Sequence, residues 1–285
     1  MPIHTTSDGC RLTYEIQGEG PRLVLSQGGR EARTVVDALT AELAKHFRVL
    51  TLDRRNTGES DLWFESRRSE QEIWATDLVE LIHALDFAPA IIAGGSAGCR
   101  LSLNAVLRDH SIASALVLWA ASGGAYGSQF LGFSYHVPYI MAAQRGGMAA
   151  VAETPFFAER LAANPANVDY LAAFDPDEFI ATMKFWNESF YPREGEPLAG
   201  IEGDPTSIRV PTLIFEGNDD IHTAEAAITL AALIPGATYE SLPWSGDEFT
   251  ARLTGRIEGT VFDLYPRMVP QILDFTATLA PQMPV

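Results

Sequence analysis

The chain has 285 residues, with 20 Lys and Arg against 37 Asp and Glu, a formal net charge of −17. That excess of negative charge repels phosphate backbones and anionic headgroups, so nucleic acid and membrane surfaces are not expected partners. An apolar fraction of 47% supplies a sizeable core, and no run of ~18 uncharged apolar residues is present to span a bilayer.

The opening stretch, MPIHTTSDGC, lacks a basic start followed by an apolar run, so no signal peptide is expected. Two cysteines, Cys10 and Cys99, without metal-type spacing suit a reducing cytoplasm. RLTYEI and LVLS are β-rich runs, and the GEGP between them is turn chemistry. A helix is expected from about Thr34 to Lys45, then a strand, FRVLTLD, ending at Asp53. Trp74, Leu78, Leu81, Ile82 and Leu85 recur at helical spacing and mark one buried face. PAIIAGG and IASALVLWAA are apolar strands on either side of a helix in AGCRLSLNAVLR. Strands apolar on both faces and separated by helices predict a parallel sheet covered on both sides.

The alternation breaks at about Ser122. From there to about Ile208 the chain reads as helical and rich in aromatic residues, among them Tyr135, Tyr139, Phe156, Phe157, Phe179, Trp186 and Phe190. Strand and helix then alternate again through VPTLIFEG, a helix over Ala224 to Leu233, ATYESLP and a last helix within Phe262 to Leu279. The expected architecture is an α/β core over residues 1–121 and 209–285, with a helical cap over 122–208.

Gly94-Gly95-Ser96-Ala97-Gly98 sits between a predicted strand and a predicted helix, the context in which G-x-S-x-G forms a nucleophile elbow. A serine on so sharp a turn is strained, and side chains two residues to either side would collide. On these residues the chain resembles the α/β-hydrolase superfamily, and the other landmarks fall in order along nearly its whole length. SQGGREA is similar to the family's oxyanion loop, with Gln27 replacing its histidine. The resemblance implies oxyanion donors from the backbone N–H groups of Gly29 and Ala97. DRRNTGESD resembles the family's D-x-R-G-x-G-x-S loop, with Asn56 in place of its first glycine, and reads as a brace for the sheet edge, with catalysis as the other reading. Arg54 and Arg55 read as ion-pair partners for the chain's many acids, with a substrate carboxylate as the other reading. FEGNDDIHT resembles the acid loop. Counting from Gly217 puts the acid at Asp220, with Asp219 as its rival.

The family's base commonly follows the next strand as Gly-His. Here the residue after Gly246 is Asp247, and no histidine occurs beyond His222. Three explanations stay open. His222 turns toward Ser96 and serves as base; Asp247 takes the proton; or no acyl-enzyme forms. A carboxylate is a weak base unless desolvation raises its pKa, and an acid and base two residues apart must both turn inward. His136, Tyr135 and Trp186 are the candidate substrate contacts within the cap.

The reading is thus an α/β-hydrolase fold carrying a serine hydrolase with catalytic Ser96, Asp220 and His222. Its expected substrate is a small or medium hydrophobic or aromatic ester, lactone or carbon–carbon-cleavage substrate. A non-hydrolytic enzyme of the same fold (lyase, isomerase or cofactor-free oxygenase) and a degenerate ligand-binding protein are the alternatives. Neither cofactor nor metal is expected, and a homo-oligomer is left open.

Overall fold

A computed structural model describes residues 1–192 and 198–279. In chain order the elements are β1 (Ile3–Thr5), β2 (Arg11–Gln17), β3 (Arg22–Ser26), α1 (Asp37–Leu43), β4 (Arg48–Leu52), α2 (Glu70–Ala84), β5 (Ala90–Gly95), α3 (Ala97–Arg108) and β6 (Ala113–Trp119). Four helices follow, α4 (Gly124–Ala152), α5 (Pro155–Ala163), α6 (Asn167–Ala173) and α7 (Pro176–Phe190). The chain then returns to the sheet through β7 (Thr212–Phe215), α8 (Ala224–Leu233), β8 (Thr238–Glu240), α9 (Gly246–Leu253) and α10 (Val269–Ala277).

The sheet has eight strands in the order β1-β2-β4-β3-β5-β6-β7-β8. β1 and β2 pair antiparallel with their neighbours, and every other pairing is parallel. The chain therefore has the mostly parallel α/β-hydrolase architecture. Alternate side chains of a strand leave opposite faces, and both faces are buried. In β5, Ile92 joins Leu78, Leu81 and Leu103 of α2 and α3, while Ile91 joins Leu39 of α1 and Ile272 of α10. A strand buried on both sides cannot alternate polar with apolar residues, which is why PAIIAGG and IASALVLWAA contain no charge.

The helices between β6 and β7 bury a core of their own. Phe64, from the loop before α2, sits among Phe157, Phe174, Phe179 and Trp186, with ring centroids 5.2–6.2 Å away. α4 is kinked at Gly146 and Gly147, whose backbones are non-helical.

Three local expectations shift. The helix expected from Thr34 opens instead as a 3-10 turn over Arg33–Val36, where the Arg33 N–H donates to the Asp53 carboxylate at 2.6 Å. The last helix is 3-10 over Val261–Met268 and α-helical only from Val269, because Pro266 and Pro270 supply no N–H for the α ladder. SGDEF, where no helix is expected, opens α9, with the Ser245 hydroxyl capping the Glu248 N–H at 3.2 Å.

Candidate active site

The turn between β5 and α3 places Ser96 at the carboxyl end of the sheet with φ 55° and ψ −114°, a strained conformation for a residue with a side chain. The glycines around it are steric requirements. A Cβ on Gly94 would lie 2.3 Å from the Gly98 carbonyl oxygen, and one on Gly98 would lie 2.2 Å from the Ser26 carbonyl oxygen. The strained turn is bought by this packing rather than by any gain of its own, and it leaves the hydroxyl beside the first turn of α3.

The loop after β7 brings His222 to Ser96. His222 Nε2 lies 2.8 Å from Ser96 Oγ, and its Nδ1 lies 2.8 Å from Asp219 Oδ2. With Nδ1–H donating to the carboxylate, Nε2 is left free to accept the serine proton. The loop is wound around Asp219, whose Oδ1 accepts from the backbone N–H groups of Ile221 at 2.8 Å and His222 at 2.9 Å. This Asx turn reverses the chain so that residues three apart face each other. It also carries the His222 carbonyl to where a Cβ on Gly217 would lie, at 2.0 Å, so Gly217 must be glycine.

The acid expected at Asp220 is corrected by this geometry. Asp219 holds the imidazole, and Asp220 is exposed. A count from Gly217 cannot see which of two adjacent carboxylates the turn folds inward. Burial works to raise the Asp219 carboxyl pKa, but the hydrogen bonds and charge of His222, with the Ile221 N–H, outweigh it and hold the group below its ordinary value.

Asp247 is exposed in the first turn of α9 and makes no hydrogen bond to Ser96 or His222 among the described residues. Where the family commonly places Gly-His, Gly246 lies under the Asn218 carbonyl, with a Cβ there only 2.1 Å from its oxygen. The Asn218 side chain donates to the Trp244 carbonyl at 2.9 Å, so the acid loop is tied to this segment. Three residues past Gly246, buried Phe249 meets the His222 ring edge-on, centroids 6.1 Å apart. Sequence reasoning missed Phe249; its place in the apolar spacing of α9 was the available signal.

The loop after β3 lies against Ser96, since a Cβ on Gly28 would come within 3.3 Å of Ser96 Cβ. Gln27, at the family's histidine position, braces the loop by donating to the carbonyls of Glu31 at 2.9 Å and Leu52 at 3.3 Å. Arg54 Nη2 donates to the carbonyls of Gly29 at 2.7 Å and Gly28 at 3.4 Å. Because the Gly28–Gly29 peptide is planar and trans, a carbonyl turned toward Arg54 turns the Gly29 N–H the other way. Ala97 is fully buried at the first position of α3, where its N–H has no intrahelical carbonyl to bind.

Arg55 follows the ion-pair reading, binding Asp77 at 2.6 Å and Asp8 at 2.9 Å. Arg54 does not. Its guanidinium lies 4.5 Å over the Trp74 ring, and no carboxylate hydrogen-bonds it among the described residues. Asn56, in place of the family's glycine, takes φ 67° and exchanges hydrogen bonds with the Trp63 backbone, the left-handed conformation that Asn tolerates best after glycine.

The structure puts the three candidate substrate contacts in different surroundings. Trp186 is buried in the helical core and donates its indole N–H to the Arg68 carbonyl at 3.1 Å, which assigns it to packing. The four helices between Gly124 and Phe190 need a core, and their aromatic residues largely form one. His136 is also buried. Its Nδ1 reaches the Gly132 carbonyl at 3.0 Å and its Nε2 the Arg30 Nη2 at 3.3 Å. Burial, and then the positive Arg30, depress its pKa to about 3, so the ring is neutral and accepts from Arg30. Tyr135 is half-buried, with the Arg30 guanidinium 5.1 Å from its ring.

A model of the Alpha/beta hydrolase family matches residues 28–252. The chain belongs to this family. Its fold superimposes on the enol-lactonase from Burkholderia xenovorans LB400 with a TM-score of 0.61 at 24% identity, covering 97% of this chain and 100% of that one. For a thermophilic esterase from Thermogutta terrifontis the values are 0.57 and 19%, covering 94% and 96%. Among curated proteins, the Bacillus subtilis "Uncharacterized hydrolase YraK" is 27% identical over 35% of this chain, and the match spans 37% of its length. The Mycobacterium tuberculosis "Uncharacterized protein Rv2715" is 27% identical over 41% of this chain and 34% of its own length. The chain thus matches little more than a third of either curated relative. No described helix is long and apolar enough to cross a membrane.

Proposed function

We propose that this chain is a serine hydrolase of small carboxylic esters or lactones, with Ser96 as nucleophile, His222 as general base and Asp219 as the acid that orients it. The Asp219–His222–Ser96 hydrogen-bond chain, with both links at 2.8 Å, carries the reading. His222 takes the Ser96 proton as Oγ attacks the carbonyl carbon. The N–H groups of Gly29 and Ala97 stabilise the oxyanion, and His222 then protonates the leaving oxygen. Water repeats the sequence on the acyl-enzyme. The helices between β6 and β7 serve as the cap over this site. The lactonase and esterase activities named for the structural neighbours agree with an oxygen-ester substrate.

A fluorophosphonate read by intact mass tests the assignment. One adduct is expected on the wild type, with none on Ser96→Ala and labelling slowed at least about 10³-fold in His222→Ala. Undiminished labelling of His222→Ala would remove His222 as the base.

A further inference from the structure

Next to the nucleophile the protein buries more positive charge than it neutralises. Arg30, Arg54 and Arg100 are 6%, 1% and 1% exposed, and Glu70, at 3%, is the acid that faces them. Glu70 Oε2 is committed to Arg30 at 2.6 Å. Arg100 spends Nη1 on the Ser122 hydroxyl at 2.5 Å and packs 4.8 Å from the Phe190 ring. Its Nε and Nη2 make no well-formed hydrogen bond among the described residues, the Tyr135 side chain being the polar group that engages this guanidinium, and Nε and Nη1 of Arg54 have no partner there. The Nε–Nη2 pair is the edge of a guanidinium that binds a carboxylate through two parallel hydrogen bonds.

Resting on the hydrolase reading, we propose that Arg100 and Arg54, with Tyr135, form a subsite for a free carboxylate on the acyl part of the substrate, which makes that substrate the ester or lactone of a dicarboxylic acid. Position supports it. Arg100 lies one helical turn beyond Ser96, its N–H bonded to the Ser96 carbonyl at 3.2 Å, and Arg54 holds the Gly28–Gly29 carbonyls beside the same serine. Tyr135 lies in the field of both guanidinia. Charge supports it as well. A buried guanidinium without a counter-ion is costly; burial first, and then Arg100 and Arg30 among its neighbours, pull the Arg54 pKa down to about 10. A bound carboxylate removes that penalty and fills the free donors. Arg55, beside Arg54 in sequence, has two carboxylates of its own and shows how this protein neutralises a structural arginine.

Two measurements decide the point. In the first, Ser96→Ala is titrated with glutarate and with monomethyl glutarate by calorimetry, which needs no catalysis. Glutarate is expected to bind to Ser96→Ala and to weaken about 10- to 100-fold in Ser96→Ala/Arg100→Met, the range for losing charge-assisted hydrogen bonds. In the second, wild type and Arg100→Met are compared on mono-p-nitrophenyl glutarate and its methyl-capped ester. The wild type is expected to prefer the free acid about 10- to 100-fold in kcat/KM, and Arg100→Met to lose that preference. Arg100→Lys, which keeps the charge and the stem, replaces Arg100→Met if the latter fails to fold, and should retain part of the preference. No glutarate binding to Ser96→Ala, or equal kcat/KM for the two esters, overturns the subsite even if fluorophosphonate labels Ser96. Glutarate binding without labelling keeps the subsite and overturns the hydrolase reading instead.

Discussion

Asp219 and Asp220 carry the same side chain one residue apart, and only the first touches the imidazole. Asp219→Asn exchanges an acceptor for an amide that can stabilise the wrong His222 tautomer; kcat/KM for an ester should fall about 10³- to 10⁴-fold. Asp220→Asn and Asp247→Asn should stay within about 3-fold, since exposed side chains away from the reacting atoms contribute little. The same carboxylate links to stability. Its folded pKa lies below the unfolded one. Its contribution is therefore fully present above the unfolded value, about 4, and is lost as pH falls through the lower folded value. Urea midpoints of wild type and Asp219→Asn should accordingly differ most near neutrality and converge toward acid. Ser96 was legible at this scale because the glycines around it leave a steric signature. The choice between Asp219 and Asp220 was not, because spacing says where a carboxylate lies along the chain and not which way a turn points it.

At the scale of elements, the elbow and α9 position Ser96 and His222. A Cβ on Gly95 would lie 2.0 Å from the Trp119 indole nitrogen on the neighbouring strand β6. Gly95→Ala should lower stability by about 3 kcal/mol, seen as a reduced Tm and as weaker fluorophosphonate labelling of the surviving folded protein. Phe249 supports the His222 ring from α9, and Phe249→Ala removes that wall; a stability loss of about 3 kcal/mol and a fall in kcat greater than any change in KM are expected. Phe249→Leu, which keeps most of the volume, should recover most of both. The parallel strands and the helix Ala224–Leu233 were readable from apolar runs and spacing, because those patterns are local. α9 was not, because its capping serine and acidic first turn lie in a stretch that also resembles the family's base loop.

Across the whole molecule, Arg160 is among the side chains that join the helical layer to the core loops. Arg160 of α5 is 3% exposed, donates to the Asn56 carbonyl at 3.0 Å and to that of Phe156 at 2.7 Å, and bonds the Arg30 carbonyl. Its guanidinium lies 3.4 Å from the centre of the Phe156 ring. Arg160→Met leaves buried carbonyls of two core loops without donors, and should cost about 3 kcal/mol in urea unfolding. Because one of those loops also carries Gly28 and Gly29, ester turnover should fall with it.

What the sequence by itself determined is what short-range sterics and periodicity encode: a parallel sheet buried on both faces, a serine on a glycine-flanked turn, and a helical stretch between two strands. The tertiary structure alone decided the partners. It turned Asp219 rather than Asp220 to His222, put His222 rather than Asp247 beside Ser96, and assigned Trp186 to a core. It gave Arg55 two carboxylates and Arg54 none. Partner choice depends on side-chain direction and on distance between residues far apart in the chain, such as Ser96 and His222, and no local pattern carries either.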